Sequence, residues 1–201
     1  MENTIKYMII TLVSILLIIP IVFGFNIRYL IIRKFNPFII LLFLFGLLIL
    51  IVIGKYIEVF VFNKENVELM QKHDVIKALT NKNNKIVIWL FFPLTMIMEE
   101  LIFRYYLIGF LLELLYFNEF SGIFISSLIF SLYHIHTWFS FKDLTILSVN
   151  LIYPFLMGLY IGFIFLNLGI VPCILSHYLI AFSFYSYIYR KYFNNNKNKK
   201  K

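Results

Sequence analysis

Six long apolar runs organise the chain, at residues 5–25, 38–62, 86–117, 119–138, 144–166 and 169–189, with short polar breaks between them. Each is close to continuously hydrophobic and long enough to cross a bilayer, which takes about 20 residues of helix. In hydrocarbon a lone segment must satisfy its own backbone groups, so each run predicts a helix. The pattern therefore predicts an all-α, polytopic transmembrane helix bundle of about six spans. The third run exceeds one crossing and contains Pro93, which predicts a kink, a strong tilt or a part outside the hydrocarbon; Pro154 predicts a kink in the fifth. One long polar stretch interrupts the pattern, Asn63 to Lys85, with five lysines against Glu65, Glu68 and Asp74. It divides the chain into a two-helix N-terminal part (1–62), a linker (63–85), a four-helix core (86–189) and a basic tail (190–201). His73 is expected to be a solvated loop histidine. No internal repeat is visible, and the Asn/Lys tail is the one low-complexity stretch.

Composition sharpens this picture. Hydrophobic residues make up 62% of the 201 residues and charged ones 14%, with a mean hydropathy of +0.88, too little charge to cover a water-soluble domain of this size. The formal net charge of +8 would suit nucleic acid, but the cations sit between the apolar runs and in the tail (Arg190, Lys191, Lys197, Lys199, Lys200, Lys201). That is the positive-inside pattern, with attraction to anionic lipid headgroups as a lesser reading; no nucleic-acid partner is expected. Tyr7 to Phe25 is longer than a signal-peptide core and lacks an Ala-x-Ala-like cleavage site, so it reads as a retained span. An even number of spans puts both termini on one side, and the basic tail makes that side the cytoplasm. The lysine-rich linker then falls inside as well, while Arg28, Arg33 and Lys34 fall outside, against the rule. Cys173 is the only cysteine, so no intrachain disulfide can form.

The candidate chemistry lies inside the spans. Glu99, Glu100 and Arg104 sit within the third run, where a charge costs several kcal/mol unless paired or facing a cavity. Glu100 and Arg104 are i,i+4 with the acid first, the better orientation for a helical ion pair. Glu99 is turned ~100° away, on a face with Phe92, Met96, Phe103 and Tyr106, and a desolvated carboxylate suits a general base. The bland reading makes all three one buried structural cluster. In the fourth run Phe130 and His134 share a face, while His136, ~200° round from His134, reads as interfacial beside Thr137 and Trp138. His134 alone reads better as a satisfied core histidine, and His177 in the last run is equally ambiguous alone. Together, Glu99, His134 and His177 lie on three helices at inner depths, Glu99 and His177 each ~20 Å from the inner end. A shared polar pocket opening inward would keep them from being orphaned in lipid. There a glutamate and a histidine can deprotonate water, and a second histidine can stabilise the oxyanion formed on an amide carbonyl. The same three residues can alternatively form a zinc site, since two histidines and a glutamate are a hydrolytic ligand set. They lack the short His-Glu-x-x-His spacing.

The series Glu-Glu-x-x-x-Arg, Phe-x-x-x-His and a late intramembrane histidine resembles the CPBP family, the CAAX-processing and bacteriocin-processing intramembrane glutamic endopeptidases also called Abi proteins. The resemblance covers about residues 86–185 and includes Phe155–Gly162, similar to the family's glycine-bearing helix; alone, Gly158 and Gly162 are a small-xxx-small packing face. It implies peptide-bond hydrolysis within or beside the membrane, on a peptide or membrane-protein substrate. It also implies that Glu99 and His134 activate water, that Glu100, Arg104 and Phe130 support them, and that His177 belongs to an oxyanion hole. Two departures stand out. Ala181 occupies the place of the family's usual Asn or Asp, leaving Ser176, Tyr106 or Asn150 as replacement donors, with Ser183 on the wrong face. Tyr105 stands where Gly often follows the motif arginine. No cofactor is expected beyond the zinc alternative. Competing readings are a non-catalytic member acting in bacteriocin self-immunity or peptide binding, and a small proton-coupled transporter. A cysteine-type peptidase built on Cys173 is a weaker one.

Overall fold

An asparagine or aspartate opens four of the helices. Asn36 accepts from the Phe38 amide, ahead of Pro37 at the first helical position; Asn118 accepts from Ser121 and Asp143 from Ile146; Asn63 and Asn66 cap each other reciprocally. These side chains take up the amide donors that the first helical turn leaves unpaired. The structure, a computed structural model, describes residues 2–30, 36–80 and 85–198. Arg33, Lys34, Lys82, Lys199, Lys200 and Lys201 lie outside the described residues, as does the side chain of Lys197.

The helices are α1 (Glu2–Val22), α2 (Pro37–Tyr56, continued by π-helical turns over Ile57–Val61), α3 (Lys64–Met70), α4 (Asp74–Thr80), α5 (Phe92–Glu100), α6 (Gly109–Glu113), α7 (Glu119–Tyr133), α8 (Thr137–Phe141), α9 (Leu144–Leu168) and α10 (Ile170–Asn198). Among the described residues five stretches are long and apolar enough to cross a membrane: Ile5–Val22, Pro37–Val61, Glu119–Phe141, Leu144–Leu168 and Ile170–Phe193. They match five of the six predicted runs, and their outward faces carry apolar side chains such as Leu12, Leu16, Leu41, Leu48 and Val52. So much exposed apolar surface is matched by lipid rather than water. The chain is an all-α, multi-pass membrane protein. The remaining run is helical from residue 85 to 113 but alternates between α and π turns and carries Glu99, Glu100 and Arg104. Pro154 lies inside α9 without ending it.

α10 is the central helix, packed against α2, α3, α4, α5 and α9, while α7 and α9 form the most extensive single pair. Small residues allow that closeness. A Cβ on Gly158 would stand 3.0 Å from the Ser127 Cα, and one on Gly162 would stand 2.9 Å from the Ile123 side chain. α9 also reaches α2 through two tyrosines seven residues apart: Tyr160 donates to the Phe43 carbonyl at 2.7 Å and Tyr153 to the Leu50 carbonyl at 2.8 Å. Each ring lies over a glycine of α2, Gly46 or Gly54, whose missing side chain makes the room. Gly169, at φ 84°, gives the abrupt reversal between α9 and α10.

The polar linker forms α3 and α4, not open loop. Val67, Met70, Val75, Ile76 and Ala78 are buried against the bundle, so these short helices are amphipathic caps. The expectation for His73 is corrected. Its ring stacks on Tyr185 at 4.3 Å, its Nε2 pairs with the Tyr185 hydroxyl at 3.0 Å, and its Nδ1 accepts from the Val75 amide. Lys6 of α1 pairs with Asp74 at 2.7 Å, and Lys191 of α10 donates to the Phe62 carbonyl at 2.8 Å. The start of α1, the linker and the late part of α10 therefore share one end of the bundle. At the opposite end Arg28 pairs with Glu113, which also accepts from the Tyr29 hydroxyl at 3.0 Å. Arg28, one of the three cations that offend the charge rule, thus ties a loop to the end of α6.

Candidate functional site

The glutamates sit where α5 changes character. Pro93, in its first turn, has no N–H for the Trp89 carbonyl, and the helix there relaxes into π turns over Val87–Phe91. A second π stretch, Leu101–Ile108, starts directly after Glu100 and carries Arg104. Such wide turns recur at functional sites because they re-aim side chains without breaking the helix.

The expected Glu100–Arg104 pair is present, with Oε2 of Glu100 3.3 Å from Nε of Arg104 and both side chains fully buried. Among the described residues Arg104 has no hydrogen-bond partner for Nη1 or Nη2; its Cζ lies 4.3 Å from the Phe130 ring centre, on the electron-rich face. Phe130 is a hub. Its ring meets Phe103 at 5.1 Å, His134 at 4.8 Å and His177 at 5.6 Å, all near edge-to-face.

Glu100 has a second contact besides Arg104. Its Oε1 lies 2.7 Å from Nδ1 of His177, while Oε2 of Glu99 lies 3.7 Å from Nε2 of the same ring. One imidazole is thus bracketed by two neighbouring carboxylates through its opposite nitrogens. A carboxylate only accepts, so Nδ1 carries a hydrogen toward Glu100. Two carboxylates against one guanidinium leave one net negative charge in the cluster. A buried charge of this kind is costly unless it faces a cavity, and Glu99 lies on the wall of one. Oε2 of Glu99 has no hydrogen-bond partner among the described residues.

His134 ends α7 in a tighter turn, its Nδ1 2.9 Å from the Phe130 carbonyl. The carbonyl only accepts, so Nδ1–H donates and a neutral ring offers the Nε2 lone pair. No hydrogen bond or ion pair joins it to Glu99; the two are linked by a shared cavity of about 590 Å³. Glu99, His134, His177, Tyr133, Asn150 and Ala181 all contribute to its wall. Lys6, His73 and Asp74 line it too, so it extends to the end of the bundle that carries the linker.

The alternatives fare differently. Among the described residues no three His, Cys, Asp or Glu side chains are close enough to hold a metal ion, so the zinc set Glu99, His134, His177 is not assembled. Cys173 is buried, directed at the Gly169 carbonyl and absent from the cavity wall. Of the replacement donors, Ser176 donates to the Pro172 carbonyl and Tyr106 to the Leu17 carbonyl, both away from the cavity; Asn150 lines it but donates to the Ile146 carbonyl. His136 bonds the Tyr133 carbonyl through Nδ1 and also reaches the cavity wall, which its interfacial reading did not anticipate.

Fold and site together define a class: a multi-pass helical membrane protein with an acid–imidazole–guanidinium cluster buried beside an internal cavity. Residues 81–183 match the family model for type II CAAX prenyl endopeptidases, Rce1-like, and the chain belongs to that family of membrane proteases. No curated protein and no solved structure matches the chain.

Proposed function

We propose that the protein is an intramembrane endopeptidase in which Glu99 activates water against a peptide bond held in the cavity. The observation that carries this reading is a carboxylate with an unpartnered oxygen on the wall of a 590 Å³ cavity that it shares with two histidines. Water held between Glu99 and Nε2 of His134 loses a proton to Glu99 as its oxygen adds to the carbonyl carbon. The oxyanion forms on the His177 side of the cavity, and the proton then passes to the amide nitrogen as the C–N bond breaks, releasing a carboxylate and an amine. Glu100 and Arg104 fix the His177 ring; Phe130 holds the arginine and both histidines in register. A peptide or membrane-protein substrate suits a site within the bilayer, and the family's name gives CAAX prenyl proteins as one such class. With the linker and tail cations on the cytoplasmic side, both termini and the cavity mouth face the cytoplasm.

The test is a comparison of new protein termini in membranes of cells producing wild type, Glu99→Gln or His134→Ala at matched levels. Termini present with wild type and lost in both variants are expected. Identical sets of termini with Glu99→Gln would overturn the peptidase reading in favour of peptide binding or transport.

A further inference from the structure

Beside His177, among the described residues, the cavity wall lacks a hydrogen-bond donor. Ala181, one turn further along α10, presents only a methyl group to the wall. The two histidines cannot supply one with a neutral ring. The Nδ1 hydrogens of His134 and His177 are committed to the Phe130 carbonyl and to Glu100, which leaves each Nε2 as a lone pair. Two of the cavity's tyrosines are engaged as well, Tyr153 to the Leu50 carbonyl and Tyr185 to His73.

Tyr133 is different. Its ring is fixed by Phe103 at 5.5 Å, His134 at 5.5 Å and His136 at 5.3 Å. Phe103 stands four residues after Glu99 in the sequence, and Tyr133 shares the cavity wall with Glu99. The side chain lines the cavity, is 41% exposed, and its hydroxyl makes no hydrogen bond among the described residues. A free phenol donor on a rigid ring costs little reorganisation when charge develops nearby.

We propose that Tyr133 supplies the hydrogen bond to the oxyanion that Ala181 cannot, making it a catalytic residue of the peptidase. The assignment rests on the peptidase reading above. The hydroxyl donates to the carbonyl oxygen as the water oxygen bonds to carbon, and keeps its proton throughout, so no further reactant is needed.

The experiment reconstitutes the full chain in liposomes and supplies solubilised membrane proteins of the expression host as the substrate pool. The initial rate at which labelled new termini form is then followed. Tyr133→Phe keeps the ring, so its thermal midpoint should match wild type while the rate falls about 10²–10³-fold, the loss typical of one oxyanion donor. Adding Ala181→Asn to that variant should restore at least tenfold (roughly 1.4 kcal/mol). A Tyr133→Phe rate within threefold of wild type, with Glu99→Gln silent, overturns the Tyr133 assignment and leaves the peptidase standing. Slowing by Asn150→Ala with Tyr133→Phe unaffected also overturns it, by moving the donor to Asn150. Wild-type cleavage by Glu99→Gln overturns the peptidase reading and this assignment together.

Discussion

Glu100→Gln tests whether the buried cluster depends on charge or only on shape. The amide keeps the carboxylate's outline and can still accept from Nδ1 of His177, now 2.7 Å away. What it removes is the negative charge 3.3 Å from Nε of Arg104. The guanidinium already lacks partners for Nη1 and Nη2 among the described residues, so it would be left without a paired counter-ion, against the face of Phe130. Breaking a buried ion pair from one side typically costs about 3–5 kcal/mol, and a cation–π contact returns ~2 kcal/mol at most. That contact exists in the wild type too, so it offsets nothing new. At roughly 2–4 °C per kcal/mol for a chain of this size, the midpoint should fall by about 6–20 °C. The protein carries its own reporter: Cys173 is its only cysteine and is fully buried, so a thiol-reactive fluorogenic maleimide labels it on unfolding. Arg104→Met should be comparably destabilised, because it strands Glu100. The double variant Glu100→Gln/Arg104→Met removes both charges and should recover most of the loss, since a neutral replacement of a buried pair is often tolerated. Single variants within 2 °C of wild type, or a double variant showing the sum of the two losses, would refute the reasoning.

Further predictions concern the α2–α9 clasp and the linker. Tyr153→Phe should cost about 1 kcal/mol for the lost bond to Leu50, whereas Gly54→Ala places a methyl 2.9 Å from the Tyr153 hydroxyl and should cost about 1–3 kcal/mol. Made in the Tyr153→Phe background, Gly54→Ala should cost less, because the clashing oxygen is gone; equal costs in the two backgrounds, by the same thiol assay, would contradict this packing. Burial against Tyr185 pushes the His73 imidazole from its ordinary 6.5 down to about 4. The unfolded chain then binds the extra proton first, so stability is lost as pH falls from about 6.5 toward 4, by up to about 1.4 kcal/mol per pH unit. Intrinsic-fluorescence melts across that window should slope less in His73→Phe than in wild type; parallel slopes would mean His73 is not held neutral.

Much of this architecture is legible in the hydrophobic pattern because lipid leaves a span few alternatives to a helix. The run predicted at 144–166 is α9 at Leu144–Leu168, and that at 38–62 is Pro37–Val61. Glu100–Arg104 is legible as well, since i,i+4 spacing is a local property. The bracket on His177 is not. An ideal α-helix separates Glu99 and Glu100 by ~100°, and only the position of α10, a tertiary fact, lets one ring meet both. The linker helices went unread for a different reason. Lysines are spread through 63–85, and Asn63-x-x-Asn66 departs from the usual Ser/Thr-x-x-Glu box, yet Val67 and Met70, and Val75 and Ala78, stand at i,i+3 and carry the signal. His73 was misjudged with them, because its partner Tyr185 lies 112 residues away. Tyr133 had no local signature, since a tyrosine at the end of a span reads as an interfacial anchor.

The tyrosine clasp has a consequence in time. Leu50 and Phe43 are separated from Tyr153 and Tyr160 by 103 and 117 residues. At about 5–20 residues per second of synthesis, α2 enters the bilayer roughly 5–20 s before α9 can follow. Throughout that interval its two glycine notches stand open to lipid, narrow grooves with nothing of their own to fill them. A nascent chain halted before residue 153 would therefore leave α2 without its clasp, exposed to whatever quality-control machinery surveys unpaired helices in the membrane.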